Sequence, residues 1–535
     1  MFDWLRHKGS DSVVQASAAG EGVIREVNGG DDGNWRVRLD IAHQRLKLTV
    51  PATSTLAPPD DELHPTCGDL SDGFVSTSRL AFEAKLFDDR LYAAVELASQ
   101  PSKAKLLAAL VDSAPIMAAA ARLGGQPIRG STETDRIIAE FLGDPRRSKP
   151  LGFYTWSDDF RRIFQQDRLL QAELDPFSRD AIAHALAVNA DVRGVYSSHL
   201  DVIAKLTNPL AADKPDLRYP DGRWFFPPSA SLETDLGKRL YRDRPIPEGF
   251  SLAEEMVRRI RSRAIALEPR DVSGWYDYQT WALEPLVALE RMPEGARLDI
   301  DDGYRGLLAD TFKAVLALTR ETHVKQLECI PLGAMGGSRR NGARIAPLLT
   351  VEPIRTYYER RAVGYDFVRT VLESAGLLSS TRRLTVTGWV KHSLSDELDA
   401  ITSAFRNAAS VASSELGMAP AAKTATAGLR RWARESRGAN GDTRMMVPVF
   451  YDIERRQTKV WAVLGWATTR LTVSFATPPV VLQIEGAPRV QFTPAFLRIA
   501  YPVFAETYVS RLLDRDEFRA HCDKYKTRTR ILQHL

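Results

Sequence analysis

The sequence predicts a mainly helical α+β protein, in which a central multi-helix body carries a small antiparallel β module at each end. Three observations lead to this prediction. Apolar residues recur at spacings of three and four between about residues 78 and 437, apolar and polar residues alternate between residues 22 and 50, and Val, Phe and Trp concentrate again after residue 445. We therefore expect three parts: an N-terminal β meander in 1–60, a helical body in 61–440, and a C-terminal β meander followed by two helices in 441–535.

The composition is that of an ordinary globular protein and excludes few functions. At 535 residues, with 44% hydrophobic and 26% charged residues, the chain is long enough for more than one core. Its net charge of +4 is small for this length, which disfavours nucleic-acid binding through bulk charge. A local basic site stays open.

Cysteines and apolar runs bear on the compartment. Cys67, Cys329 and Cys522 are odd in number, far apart and in no CxxC spacing, which argues against a disulfide framework and a structural zinc site. Residues 1–8 lack the apolar core of a signal peptide, and the sequence has no apolar run of the roughly 18 residues that a membrane span needs. We expect a cytoplasmic protein without a membrane anchor, a metal site or a cofactor.

The N-terminal module shows the period-two pattern of half-buried strands. Trp35 and Val37 alternate with polar residues, and Leu46 and Leu48 do so again after a short interruption. The glycine- and aspartate-rich stretch 28–34 between strands favours a tight turn. The meander is predicted to be either a small ligand-binding barrel or a sheet that covers the helical body.

Helical periodicity dominates the central body, where Pro, Gly and short polar turns separate the helices. The predicted spans are 78–98, 102–123, 131–142, 157–173, 177–190, 195–206, 231–241, 251–266, 273–291, 301–328, 353–376, 394–417 and 421–437. Irregular arms near 144–156 and 207–229 interrupt them. Because Trp224, Phe225 and Phe226 lie in the second arm, we expect it either to fold against the body or to reach a partner subunit.

The last hundred residues return to a strand-like composition. Segments rich in Val, Phe and Trp, separated by turns, predict strands at 445–451, 459–466, 471–476 and 480–484. Two helices are predicted to follow, at 493–512 and 515–533.

The stretch 272–376 holds the candidate catalytic residues. His323 shares one face of its predicted helix with an apolar stripe, so its ring is expected to point into the core. A histidine placed there is either a general base, tuned by burial and by Glu321 or Asp277, or a hydrogen-bonded core residue. Both interpretations stay open at this point.

Candidate ligand contacts lie on the helix that follows. Tyr358, Arg361 and Tyr365 share one face, which inserts a guanidinium into an aromatic and aliphatic stripe. A buried arginine requires an anion, either a protein carboxylate or a bound anionic ligand.

Two further candidate sites are less specific. Trp275 and Tyr278 either line a sugar or base pocket or pack in the core. Arg339 and Arg340 lie in the glycine-rich loop 332–344, which has the ingredients of a phosphate site but matches neither common phosphate-binding motif. A solvated loop is the alternative.

No compact catalytic signature is present in the sequence, so the leading functional hypothesis is a cytoplasmic binding or assembly protein with a protein partner or a second copy of itself. The alternative is an enzyme that acts on an anionic or sugar-like small molecule in a cleft of the helical body. Nucleic-acid binding is the third hypothesis.

Overall fold

The structure, a computed structural model, describes residues 14–16, 21–28, 34–41, 44–51, 61–68, 73–241, 246–247, 249–325, 345–378, 393–420, 422–436, 441–485 and 492–535. These residues form a mainly helical fold with a β module, which confirms the predicted α+β class.

The helices lie mostly within the central body. They are α1 (Thr77–Leu110), α2 (Pro115–Leu123), α3 (Thr132–Leu142), α4 (Pro145–Ser148), α5 (Asp158–Leu170), α6 (Pro176–Val188), α7 (Ala190–Leu206), α8 (Leu232–Tyr241), α9 (Leu252–Arg261), α10 (Trp275–Ala288), α11 (Asp302–Thr322), α12 (Arg355–Ser374), α13 (Leu394–Glu415), α14 (Ala425–Glu435), α15 (Arg515–Tyr525) and α16 (Arg528–Gln533).

The strands come from both ends of the chain and from two short segments in its middle. They are β1 (Val14–Ala16), β2 (Glu21–Asn28), β3 (Asn34–Asp40), β4 (Leu46–Thr49), β5 (Leu298–Ile300), β6 (Ile345–Pro347), β7 (Met445–Asp452), β8 (Gln457–Phe475), β9 (Val480–Glu485) and β10 (Ala495–Val509).

Strands from the two ends share sheets instead of forming a separate module at each end. The largest sheet has the order β10-β8-β4-β5, and β7 also pairs with β8, on the side opposite to β10. A second sheet has the order β2-β3-β9. Leu48 of β4 lies opposite Val473 of β8, and both side chains are fully buried. An isolated hairpin buries too little apolar surface to be stable, so the N-terminal strands gain stability by joining the C-terminal sheet. The domain boundaries near residues 60 and 440 remain predictions.

The predicted helix at 493–512 is wrong, because this segment forms the long strand β10. Its residues pair antiparallel with β8 from Ala495 opposite Val473 to Val509 opposite Thr458. The segment is rich in aromatic and β-branched residues, which favour a pleated, half-buried surface, and pairing with β8 overrides its weak helical periodicity. The two segments predicted as separate strands at 459–466 and 471–476 are likewise one strand, β8.

Strands β10 and β7 of the large sheet each carry a feature that hinders pairing with a further strand. Trp466 of β8 uses its backbone N–H and C=O to bond His64, on the side away from β10. Its antiparallel neighbour Pro502 therefore directs its own nitrogen away from β8, toward the outer edge of β10, and proline has no N–H to donate there. On β7, Arg320 of α11 donates to the carbonyls of Pro448 and Val449. Proline and charged side chains are devices by which proteins block edge-to-edge pairing.

Helix α1 is the longest helix of the described part of the chain and links two hydrophobic cores. It continues through Pro101, where the sequence had predicted a break. Its first half packs in the main core with α10–α13 and the large sheet, whereas Leu106, Leu107 and Leu110 pack in a second core with α2, α5, α6 and α7. Burial of both halves explains why one proline does not end the helix.

The arm at 207–229 folds against the second core, as the first of the two sequence alternatives predicted. Phe225 and Phe226 are buried, and Tyr196 of α7 donates to the Phe225 carbonyl at 2.8 Å. The arm therefore contributes to the body of the protein.

Candidate functional site

The start of α10 brings Trp275, one of the predicted aromatic residues, and its neighbour Tyr276 to His323. Gly274 precedes α10 at a place where a Cβ atom would lie only 2.4 Å from the Thr207 carbonyl oxygen, so glycine lets the end of α7 and the start of α10 touch. His323 caps the C-terminus of α11. The ring centroids of Trp275 and Tyr276 each lie 5.4 Å from that of His323, at nearly perpendicular angles.

A hydrogen-bonded chain connects His323 to Arg361. Nε2 of His323 lies 2.9 Å from Oε1 of Gln279, and Nε2 of Gln279 donates to Asp88 at 2.8 Å. Asp88 accepts from Arg361 at 2.9 Å and from the Tyr365 hydroxyl at 2.8 Å. Three helices and the end of a fourth, namely α1, α10, α12 and α11, thus meet through polar side chains.

This chain is sealed from solvent. His323 is 0% exposed and Arg361 is 4% exposed. Burial, with a smaller contribution from Lys85, lowers the pKa of His323 to about 3, so the ring is neutral at physiological pH. Because the orientation of the Gln279 amide is fixed by Asp88, Nε2 of His323 carries the proton, and the buried Nδ1 has no hydrogen-bond partner among the described residues.

Glu321, predicted to tune His323, belongs to a separate buried ion cluster. Its carboxylate lies 2.5 Å from Arg515 and 3.0 Å from Lys85, which also pairs with Asp89 at 2.5 Å. Burial alone would raise the pKa of Glu321, but the two cations outweigh it and lower the pKa. Glu321 therefore stays ionised and ties α11 to α1 and α15.

The other candidates have identifiable structural contacts. Asp277 accepts from the Gly274 N–H at 3.0 Å and caps α10, and burial raises its pKa. The Tyr278 ring stacks on Phe367 with centroids 4.4 Å apart. The Tyr358 hydroxyl donates to the Glu352 carbonyl at 2.8 Å. The predicted catalytic role of Asp277 and the predicted ligand-binding roles of Tyr278 and Tyr358 stay predictions.

Arg339 and Arg340 lie outside the described residues, and so does Cys329. Cys67 and Cys522 are buried, and burial raises the pKa of Cys522 to about 12.

Sequence reasoning missed the buried charges of α1. Lys85, Asp88 and Asp89 take part in the clusters above, and farther along the helix Glu96 and Lys103 join Asp167 and Lys325 in another buried cluster. Charged residues on all faces of a 34-residue helix were the available signal, because an ordinary surface helix keeps charges off one face. Besides the pairs within α1, their partners lie far away in sequence, so no local pattern identifies those partners.

An open groove lies between α10, α12 and α13, on the side of α12 that faces away from the buried chain of His323 and Arg361. Its volume is about 660 Å³, within the size range of ligand sites. The floor is formed by small, buried side chains: Thr356, Ala362, Ala409 and Ser413. Small side chains leave room for an occupant, so this groove is accessible where the His323 chain is not.

One wall of the groove is rigid. The Arg360 guanidinium lies over the Trp281 ring at 4.4 Å and donates to Glu284 at 2.7 Å and to the Trp281 carbonyl at 2.9 Å. Glu284 also accepts from Arg291 at 3.0 Å. Because the guanidinium is held by a carboxylate, a carbonyl and a ring together, it presents a fixed flat surface to the groove.

The rim opposite this wall carries an ion pair whose partners can be replaced. Arg406 of α13 pairs with Asp366 of α12 at 2.6 Å, and the two side chains are 60% and 47% exposed. An ion pair this exposed contributes at most about 1 kcal/mol, so an incoming charged group can replace either partner. Val363, 44% exposed, adds an apolar surface to the same rim.

A second groove of about 770 Å³ runs along α9 and is lined by Phe250, Glu254 and Arg258, among others. Its charged residues already have protein partners, since Glu255 accepts from Arg258, Glu254 pairs with Lys313 and Arg261 donates to the Val287 carbonyl.

Comparisons with protein-family models, with curated proteins and with solved structures found no match to this chain. Within the described part of the chain, no group of His, Cys, Asp and Glu residues is arranged to hold a metal ion. Among the helices that the structure describes, none is both long and apolar enough to cross a membrane.

Proposed function

We propose that this chain is a non-catalytic cytoplasmic binding or assembly protein, and that the groove between α10, α12 and α13 takes a short segment of a protein partner. The observation that carries this proposal is the open groove of about 660 Å³ with a floor of small side chains and a weakly held Arg406–Asp366 pair on its rim.

The groove has the anatomy of a protein interface. The floor of small side chains lies at the centre, and the rim around it carries charged side chains and the exposed Val363. Tryptophan and arginine, which dominate binding energies at interfaces, stand together in the wall as Trp281 and Arg360. A partner segment with a small apolar side chain beside a carboxylate matches this arrangement, because its carboxylate would displace Asp366 from Arg406.

The enzyme alternative has less support from the geometry. Catalysis by His323 requires that a substrate reach its ring, yet His323, Glu321 and Arg361 are all buried and engaged with other protein side chains. Nucleic-acid binding also has less support, since Arg258 and Arg259 are paired with Glu255.

A displayed library of random 12-residue peptides tests the proposal. Peptides selected on the wild-type chain are assayed by fluorescence polarisation against Arg406→Ala, which removes the rim cation, and Ala409→Trp, which fills the floor. Arg136→Ala is the matched control, because Arg136 is also an exposed helix arginine paired with carboxylates. We expect selected peptides to carry Asp or Glu near an apolar residue.

The groove variants should weaken peptide binding at least tenfold, which corresponds to about 1.4 kcal/mol, and the control should bind as the wild type does. Selected peptides that bind both groove variants unchanged would overturn the proposed site. A library that yields no binder, together with saturable binding of a sugar or small anion that Ala409→Trp abolishes, would favour the enzyme alternative.

A further inference from the structure

Helix α6 presents an apolar strip to solvent on the side of the protein formed by the second core. Phe177 is 77% exposed and Val188 is 71% exposed, although they stand at opposite ends of the helix. Ala181, partly buried, and His184, exposed, lie between them. The intervals of four, three and four residues place all four side chains along one face of the helix.

This strip is complementary to itself in the reverse direction. The order of intervals is the same when read from either end, with its centre between residues 182 and 183. If two copies of α6 lie antiparallel about a two-fold axis at that centre, Phe177 of one copy meets Val188 of the other, and Ala181 meets His184. A two-fold interface requires this kind of self-complementarity.

The charges beside the strip permit the same arrangement. Asp180 pairs with Arg179 within its own helix. In the antiparallel arrangement, the flank that carries Asp180 faces the exposed Ala187 of the second copy, so carboxylates do not meet across the axis. The small Ala181 side chain near the axis allows close approach of the two helices.

We propose that α6 packs antiparallel against α6 of a second copy of this chain through Phe177, Ala181, His184 and Val188, forming a weak homodimer. The 13 residues of α6 span about 20 Å, and four side chains from each copy bury well under the roughly 800 Å² per partner of a standard interface. The dimer is therefore concentration-dependent rather than obligate. This inference is independent of the α12 groove.

Sedimentation velocity of the full chain over about 1 to 200 µM tests the association. The wild type should shift from monomer toward dimer, and Phe177→Glu and Val188→Glu should each raise the dissociation constant at least tenfold. Ile453→Glu is the matched control, because Ile453 is an exposed apolar residue on the turn between β7 and β8, and it should behave as the wild type does. A wild type that stays monomeric, or a dimer that both α6 variants retain, overturns the proposal.

Cross-linking with a short bismaleimide tests the direction of packing. A mixture of Phe177→Cys and Val188→Cys chains should form a cross-linked dimer above the wild-type background from the native cysteines. Each variant alone should not, because two copies of residue 177 lie about 16 Å apart along an antiparallel pair. Efficient cross-linking of Phe177→Cys alone would indicate a parallel pair and overturn the arrangement.

Discussion

Arg360 and Arg361 are consecutive residues of α12, but they face opposite environments. Arg361 points inward to Asp88 and Tyr365, with both partners buried, whereas Arg360 lies over Trp281 at the wall of an open groove. The inner arginine is part of a closed hydrogen-bonded chain that includes His323. The outer one shapes a surface that an incoming molecule can reach.

The difference shows that residue type alone does not separate a structural site from a binding site. The buried ions of the clusters described above have protein partners on other helices, so they hold helices together. Exposed ions on the groove rim have partners that solvent or a ligand can replace. Most of the catalytic and ligand-binding residues predicted from the sequence are buried and therefore belong to the first group.

The largest expected effect is the difference in stability loss between substituting Arg361 and substituting Arg360. Arg361→Met should lower the free energy of unfolding by about 3–5 kcal/mol, because it leaves Asp88 buried without its cation. Arg360→Met should cost only about 1–2 kcal/mol, because its partners remain near solvent. Urea denaturation of both variants measures the difference. Equal losses would contradict the assignment of Arg361 to a closed structural chain.

A double-mutant cycle sharpens the same contrast. Combining Asp88→Asn with Arg361→Met removes both charges, so the double variant should be about 2–3 kcal/mol more stable than the sum of the single losses predicts. The same cycle on Asp366 and Arg406 should give a coupling below about 1 kcal/mol. Additive losses at Asp88 and Arg361 would show that their ion pair does not stabilise the fold.

His323 makes stability depend on pH. Its pKa falls from 6.5 to about 3 on folding, so the unfolded chain takes up a proton as pH drops below 6.5 while the folded chain does not, and stability is lost on acidification. Relative to His323→Gln, the wild type should lose about 2–3 kcal/mol more between pH 7.5 and pH 4.5.

Urea titrations at several pH values measure this slope. His199, whose pKa burial lowers to about 4, adds a loss of the same sign. It is present in both proteins, so the difference between them isolates His323. Parallel pH profiles would mean that His323 is protonated in the folded state, and therefore accessible.

The smallest expected effect on stability comes from substituting Arg406 on the groove rim. Arg406→Ala should change the free energy of unfolding by less than about 0.5 kcal/mol, because the ion pair with Asp366 is exposed. Thermal and urea unfolding check this value in the same samples that are used for peptide binding. A large loss of stability would make Arg406 a structural residue and weaken the case for the groove.

The hydrophobic periodicity of a single helix was enough to predict which of its site residues are buried. The period of α11 indicated that His323 points inward, and the period of α12 indicated that Arg361 is buried and needs an anion. That anion, Asp88, lies 273 residues earlier in the chain, and no local rule identifies such a partner. The segment of β10 was mispredicted for a similar reason, since pairing with β8 decides its conformation.

The sequence by itself determined the fold class, most helix positions and which side chains of a helix point inward, because these follow from the spacing of apolar residues along one element. Tertiary structure decided which buried charges meet, which sheet each strand joins and where a groove stays open. These outcomes depend on contacts between segments far apart in the chain, whose free energies no single element contains.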